Sequence, residues 1–177
     1  MSALLEAGSL MGVNSRWKVW RTVRVGQGPK TGGGFRQILK TNGFTVLFWG
    51  EPPPREPVFP VCREEKELDL VLVTVEGLGF KREALRCEIY AQARKSGLEF
   101  CPAEVGPQLR LQYRDQVKGE ELNLGVEQLS GFDSTLFSIG HNEKGLWIRS
   151  VTGDCLWGAG LRIFDLDSHW VFVLPPK

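Results

Sequence analysis

The chain has 177 residues, enough for one domain that buries about two thirds of the surface its unfolded form exposes. A hydrophobic fraction of 42%, a charged fraction of 24% and a net charge of +1 are ordinary for a globular protein, so no global field draws it to nucleic acid or membrane. The charge is uneven, however: residues 7–50 hold no acid against seven bases, and the remainder runs acidic.

Residues 1–16 have a short apolar look at Ala3, Leu4, Leu5, Leu10 and Met11, without the basic start or long apolar run of a signal peptide. They read as a disordered tail, and no 18-residue apolar run suits a membrane span. In residues 17–25 the odd positions Trp17, Val19, Arg21, Val23 and Val25 alternate with Lys18, Trp20, Thr22 and Arg24, which suits a strand with one wet face. A glycine-rich connector over 26–34 leads to a short helix at 35–41, with Phe35, Ile38 and Leu39 on one side. Asn42 and Gly43 stop that helix. Residues 44–49 are an apolar run, and the prolines of 51–60 make a stiff spacer without regular structure.

Residues 68–75, LDLVLVTV, are apolar on both faces and predict a central strand covered on both sides. After a turn at 76–80, a helix is expected over 81–96, with Leu85, Ile89 and Ala93 stacked at i, i+4 and i+8 and Gly97 just past its end. From there the chain reads as strands: 109–113, 122–129, 136–139, 146–151 and 170–174. His141 to Gly145 read as the turn of a hairpin between the third and fourth of these. The expectation is therefore a single α+β domain over 17–174. It would hold a mostly antiparallel sheet, two helices and a β-rich C-terminal half.

The four cysteines, Cys62, Cys87, Cys101 and Cys155, are widely spread, with no C-x-x-C pair and only two histidines, His141 and His169. That spacing argues against a structural zinc site, and nothing else points to a metal or cofactor. The cysteines read as reduced thiols of a cytoplasmic protein.

With these elements placed, the chain resembles a family of small, functionally uncharacterised bacterial proteins. The resemblance rests on Leu78-Gly79-Phe80, on GLEFCPAEVGPQLRLQY at 97–113, on Asp115-Gln116, on Gly145-Leu146-Trp147 and on WVFV at 170–173. It covers about residues 17–173 and implies no activity and no catalytic residue. The chain departs from the pattern at 45–57, where relatives look helical and this sequence has four prolines. The stretch between the last two strands looks variable among relatives, as a surface loop or a diversified recognition surface would.

Several constellations bear on function. The run GQGPKTGGG at 26–34 looks like a phosphate cradle, but Pro29 precedes the Lys-Thr pair and has no N–H to offer a phosphate. Arg16, Lys18, Arg21, Arg24, Lys30, Arg36 and Lys40, interleaved with Trp17 and Trp20, could combine phosphate contacts with base stacking. The helix adds Lys81, Arg82, Arg86, Arg94 and Lys95, and helix followed by hairpin is loosely like a winged helix. Against this stand a solvated strand face, core tryptophans and a pI of about 7.7. Cys101 could be a nucleophile with His141 or His169 as base and Asp165 or Asp167 as orienter, yet Phe100 and Pro102 flank it as they would a buried thiol. Glu104, within PAEVGP, reads as capping or salt-bridging a turn rather than transferring protons.

The segment 152–170 is the richest. Trp157, Phe164 and Leu166 stand among Gly153, Gly158 and Gly160, with Arg162, Asp165, Asp167 and His169 interspersed and Trp170 entering the last strand. Aromatics on a glycine-flexed loop supply contact area with few rotors, as binding surfaces do. The competing reading is a plug for one end of the sheet. A display loop would leave some of Trp157, Phe164 and Leu166 exposed, with Trp170 more buried. The favoured expectation is non-catalytic recognition of a protein or small ligand through Trp157, Arg162, Phe164, Asp165, Asp167 and His169. Nucleic-acid association through the basic N-terminal region is the alternative, and an enzyme comes third.

Overall fold

The computed structural model describes residues 16–48, 60–127, 135–152 and 162–176. Two segments named above, the N-terminal tail up to residue 15 and the spacer at 51–59, lie outside the described residues, as do Trp157 and Cys155. The chain runs β1 (Arg21–Val25), α1 (Gly32–Thr41), β2 (Thr45–Phe48), β3 (Lys66–Thr74), β4 (Ala84–Leu85) and α2 (Arg86–Lys95). It continues through α3 (Val105–Gln112), β5 (Glu121–Leu124), β6 (Thr135–Asn142), β7 (Gly145–Thr152), β8 (Ile163–Phe164) and β9 (His169–Val173).

Seven strands form one sheet in the order β1-β3-β9-β5-β6-β7-β2, while β4 and β8 pair as a separate ribbon. The architecture is α+β and strand-rich, as expected. The sheet is mixed, because β5 runs parallel to β9 and β2 parallel to β7 while its other ladders are antiparallel. β3 lies inside the sheet between β1 and β9, with Leu70 buried on one face and Val71 and Val73 on the other. This is the doubly covered strand that its two apolar faces demand.

One expected strand is a helix. Residues 109–112 belong to α3, whose residues from Val105 to Arg110 are all buried, and Tyr113 caps its end. The sheet curls so that α3 packs against β1 at one end and β6 and β7 at the other. Its Leu-Arg-Leu-Gln-Tyr end alternates apolar and polar residues over a length at which strand and helical spacing look alike. Pro107 falls in the first turn, where its missing N–H costs no intrahelical bond. α3 brings the α-helices among the described residues to three.

The other boundary correction is at α2, which starts at Arg86 rather than 81. Ala84 and Leu85 are used to pair with Phe164 and Ile163. The Glu88 carboxylate then accepts the Leu85 N–H (2.9 Å) and the Arg82 guanidinium (2.7 Å), fixing the first turn from the third helical position. Ile89 and Ala93 are fully buried, as their spacing predicts, whereas Leu85 is only half-buried. Gly97 closes the helix at φ 81°.

Two apolar clusters line the two faces of the sheet. The inner one, around α3, joins Val23, Leu70, Leu122, Leu124, Val171 and Ile148 to Val105 and Leu109. The outer one joins Val71, Val73, Trp170 and Phe172 to Ile89, Ala93 and Leu98 of the α2 region. α2 therefore covers the β3–β9 half of the outer face. No described helix is long and apolar enough to cross a membrane.

Candidate functional site

The other half of the outer face, over β5, β6, β7 and β2, is built differently. Leu122 and Leu124 face the inner core, so Glu121 and Asn123 must point outward. Across the ladders Asn123 pairs with Ser138 and Ser138 with Arg149, so the outward row turns polar where the β3–β9 half is aromatic. Asn123 is buried and satisfied: its amide donates to His169 O (3.2 Å) and accepts the Ser138 hydroxyl (3.0 Å). The Arg149 guanidinium donates to Glu121 (2.6 Å) and lies 5.3 Å from the Trp147 ring. Trp147 can lie flat on β6 only because residue 140 is glycine, since a Cβ there would meet its ring at 2.2 Å.

This half forms a two-lobed groove. One lobe, of about 450 Å³, has Glu120, Glu121 and Asn123 on one side and residues 162–165 with 167–169 as its wall. The other, of about 650 Å³, lies between Leu47, Trp147, Arg149 and the hairpin residues His141 and Glu143. Both share Gly119, Glu120 and Glu121.

Five of the six residues singled out for ligand recognition, Arg162, Phe164, Asp165, Asp167 and His169, line the first lobe together. The sixth, Trp157, lies outside the described residues. Phe164 is not displayed, however. It is 5% exposed and packs on Trp170 with centroids 4.7 Å apart, and Trp170 is itself 0% exposed. Leu166 is half-buried in the outer core. So at Phe164 the plug reading holds, and the segment is half anchor and half rim: Phe164 pins it while Asp165, Asp167 and His169 stand exposed. The Arg162 guanidinium sits 5.5 Å from the Phe164 ring.

The loop bearing Glu120 is held from below by a buried cation. Arg110 of α3 is fully buried, and burial pushes its guanidinium down to about 10. It donates to Tyr113 O, to Gln116 Oε1 and to Gly140 O (3.3 Å). The Tyr113 hydroxyl donates to Glu120 (2.9 Å), and burial, then that carboxylate, hold the phenol up to about 12. Gln116 O accepts the His141 Nδ1–H (2.7 Å), since a carbonyl can only accept, which leaves Nε2 as the ring's other polar atom. The groove floor therefore rests on a buried polar network, in which Arg110 Nε has no hydrogen-bond partner among the described residues, rather than on loop contacts alone.

Sequence reasoning missed Glu120, Glu121, Asn123, Leu47 and Trp147. Each is separated in the chain from residues 162–169, and only the order of strands brings them together. The Cys101–histidine arrangement is not assembled. Cys101 is 0% exposed, burial pushes its thiol far up, and its Sγ contacts Val171 O, whereas His141 is bonded to Gln116. Cys62 is raised by burial and then by Glu104. Glu104 is fully buried and accepts Gly26 N–H and Cys62 N–H, each at 2.7 Å, so it ties segments together rather than merely capping a turn. No group of three or more metal-ligating side chains occurs among the described residues.

The basic N-terminal residues spread over β1, its connector and α1. Arg21 pairs with Asp115 (3.4 Å) and Arg24 with Glu67 (3.0 Å), while Lys30 donates to Gly26 O (2.8 Å). Arg16 donates to Gly77 O (3.0 Å); Lys18 and Lys40 are exposed and Arg36 half-buried. The Trp17 indole donates to Ser96 O (2.8 Å), and Trp20 packs edge-on against Tyr113. Comparison with family models, with curated proteins and with solved structures finds no match.

Proposed function

We propose that the protein is a non-catalytic recognition module that binds a protein or small ligand through the outer groove, with residues 162–169 as one wall. The observation that carries this reading is the convergence of Arg162, Phe164, Asp165, Asp167 and His169 on one groove. That groove lies on the half of the sheet that α2 leaves uncovered. An anchored wall with a charged rim keeps the site preorganised, which lowers the ordering cost of binding. Cys62 and Cys101 carry free thiols, which suits the cytoplasmic setting expected from the sequence. Nucleic-acid association draws less support, because Arg21 and Arg24 are engaged in ion pairs and Trp17 and Trp20 are packed rather than offered for stacking.

The test is a binding map. Fragments and short peptides screened against isotopically labelled protein should shift the amide resonances of Gly119, Glu121, Asn123, Ser168 and His169. Replacing Asp165 and Asp167 together with asparagine should weaken those binders about tenfold. Binders that cluster instead around Lys18, Arg36 and Lys40, with affinity falling steeply with salt, would transfer the function to the basic region.

A further inference from the structure

We infer that the partner is a protein that adds an extended strand to the outer edge of β2 and places lysine or arginine side chains in the adjoining lobe of the groove. The inference rests on the recognition reading above and names its partner class. It begins from the two edges of the sheet. The β1 edge is closed: α3 lies against it, and the Gln112 side-chain amide accepts Arg24 N–H (3.0 Å) and donates to Arg24 O (2.8 Å), taking the place of a neighbouring strand. At the other edge, β2 pairs only with β7 among the described residues; α1 packs beside it, and no side chain there stands in for a neighbouring strand. Its sequence, Thr-Val-Leu-Phe, has high strand propensity and none of the lysine, proline or bulge devices that keep edges from pairing.

A side-chain site lies beside this edge. Val46 packs on the inner core, so Leu47 points to the outer face, where it is 43% exposed and lines the larger lobe with Trp147 and Arg149. Backbone pairing at an edge with a pocket for alternate side chains is the arrangement by which sheets accept a partner's strand.

Charge selects the occupant. Three acids, Glu120, Glu121 and Glu143, line that lobe against Lys118 and Arg149, and the neighbouring lobe adds Asp165 and Asp167 against Arg162. Glu143 and Glu121 are paired with Lys118 (2.7 Å) and Arg149 (2.6 Å), and Glu120 accepts the Tyr113 hydroxyl. Among the lining residues the surplus is negative, offset in part by the buried Arg110 beneath Glu120, so a strand whose groove-facing residues are basic gains and an acidic one is repelled. The chain's own following segment is a poor occupant, because Pro52, Pro53, Pro54 and Pro57 have no N–H for a ladder. A second copy is disfavoured too: α1 packs beside β2 and carries Arg36 and Lys40 with no acid, so twofold pairing would bring two basic helices together.

A displayed library of random linear nonapeptides, selected on the intact protein, tests this directly. The expected outcome is enrichment of β-branched and aromatic residues alternating with lysine or arginine. One enriched peptide is then synthesised in three forms: unmodified, N-methylated at alternate amides, and with its basic residues changed to glutamate. The protein variant Leu47→Lys alters an exposed side chain and should keep its circular dichroism spectrum and melting curve. Binding of the unmodified peptide should fall about tenfold or more with either modified peptide and with Leu47→Lys. No enrichment, or enrichment without basic alternation, overturns the inference. Peptides that bind Leu47→Lys normally but lose affinity in the Asp165→Asn/Asp167→Asn protein overturn strand addition while leaving the recognition reading standing. A dimer in sedimentation that Leu47→Lys dissociates would give the edge to a second copy instead.

Discussion

The two halves of the sheet's outer face share a backbone and differ in everything laid on it. Over β3 and β9, Val71, Val73, Trp170 and Phe172 are sealed by Ile89, Ala93 and Leu98. Over β5, β6, β7 and β2, the same side of the sheet presents Glu121, Asn123, Arg149 and Leu47, and no described helix crosses it. Apolar burial on this face is concentrated in the first half and polar side chains in the second. Phe164 joins them, since it packs on the sealed half while its neighbours rim the open one.

Substitutions should grade along that division. Trp170→Ala, in the sealed half, should destabilise by roughly 3–5 kcal/mol in a denaturant titration, the usual range for truncating a core aromatic. A loss under about 1 kcal/mol would erase the distinction between the halves. Phe164→Ala should cost about 3 kcal/mol and also loosen the groove wall, so that binders weaken even under conditions where the variant remains folded. If stability fell while binding held, the wall would not depend on its anchor. Gly140→Ala should cost roughly 1–3 kcal/mol by overpacking, and the tryptophan fluorescence should change as Trp147 is lifted from β6. Unchanged emission would show that the open half repacks freely. The smallest effect belongs to the Asp165→Asn/Asp167→Asn pair, within about 0.5 kcal/mol in stability as for exposed sites. A larger change there would mean that the rim serves folding rather than binding.

The sealed half was the more legible of the two from sequence. LDLVLVTV announces its own double burial, and Ile89 and Ala93 announce the helix that covers it, because both patterns are local. α3 was misread because only five residues, 109–113, were weighed, and over that length alternation and helical spacing look alike. Counted from Glu104, the period is four: Val105, Leu109 and Tyr113 face the core, while Glu104, Gln108 and Gln112 form a polar row linked side chain to side chain. For the site, the aromatic and charged run at 162–169 could be picked out because it is contiguous. Its opposite side could not, since Glu121 and Asn123 sit in an unremarkable strand and become groove residues only through the parallel pairing of β5 with β9. Phe164 was expected on a display surface because glycine-rich surroundings suggest a loop. Its burial follows from the two-residue ribbon with Ala84 and Leu85, which is too short to register as a pattern.

β9 lies between β3 and β5, and it is translated after every other strand of the sheet. While the chain is still emerging from the ribosome, β1 and β3 can form one pair and β5, β6 and β7 another antiparallel set, but no bond joins them. Val71, Val73, Leu122 and Leu124 therefore lack their β9 neighbours until residues 169–173 arrive and join both sets at once. Such late, long-range closure makes folding slow and leaves a window for misassociation. Deletions that clip the last strand should therefore leave two pieces of sheet with no ladder between them rather than a slightly weakened protein.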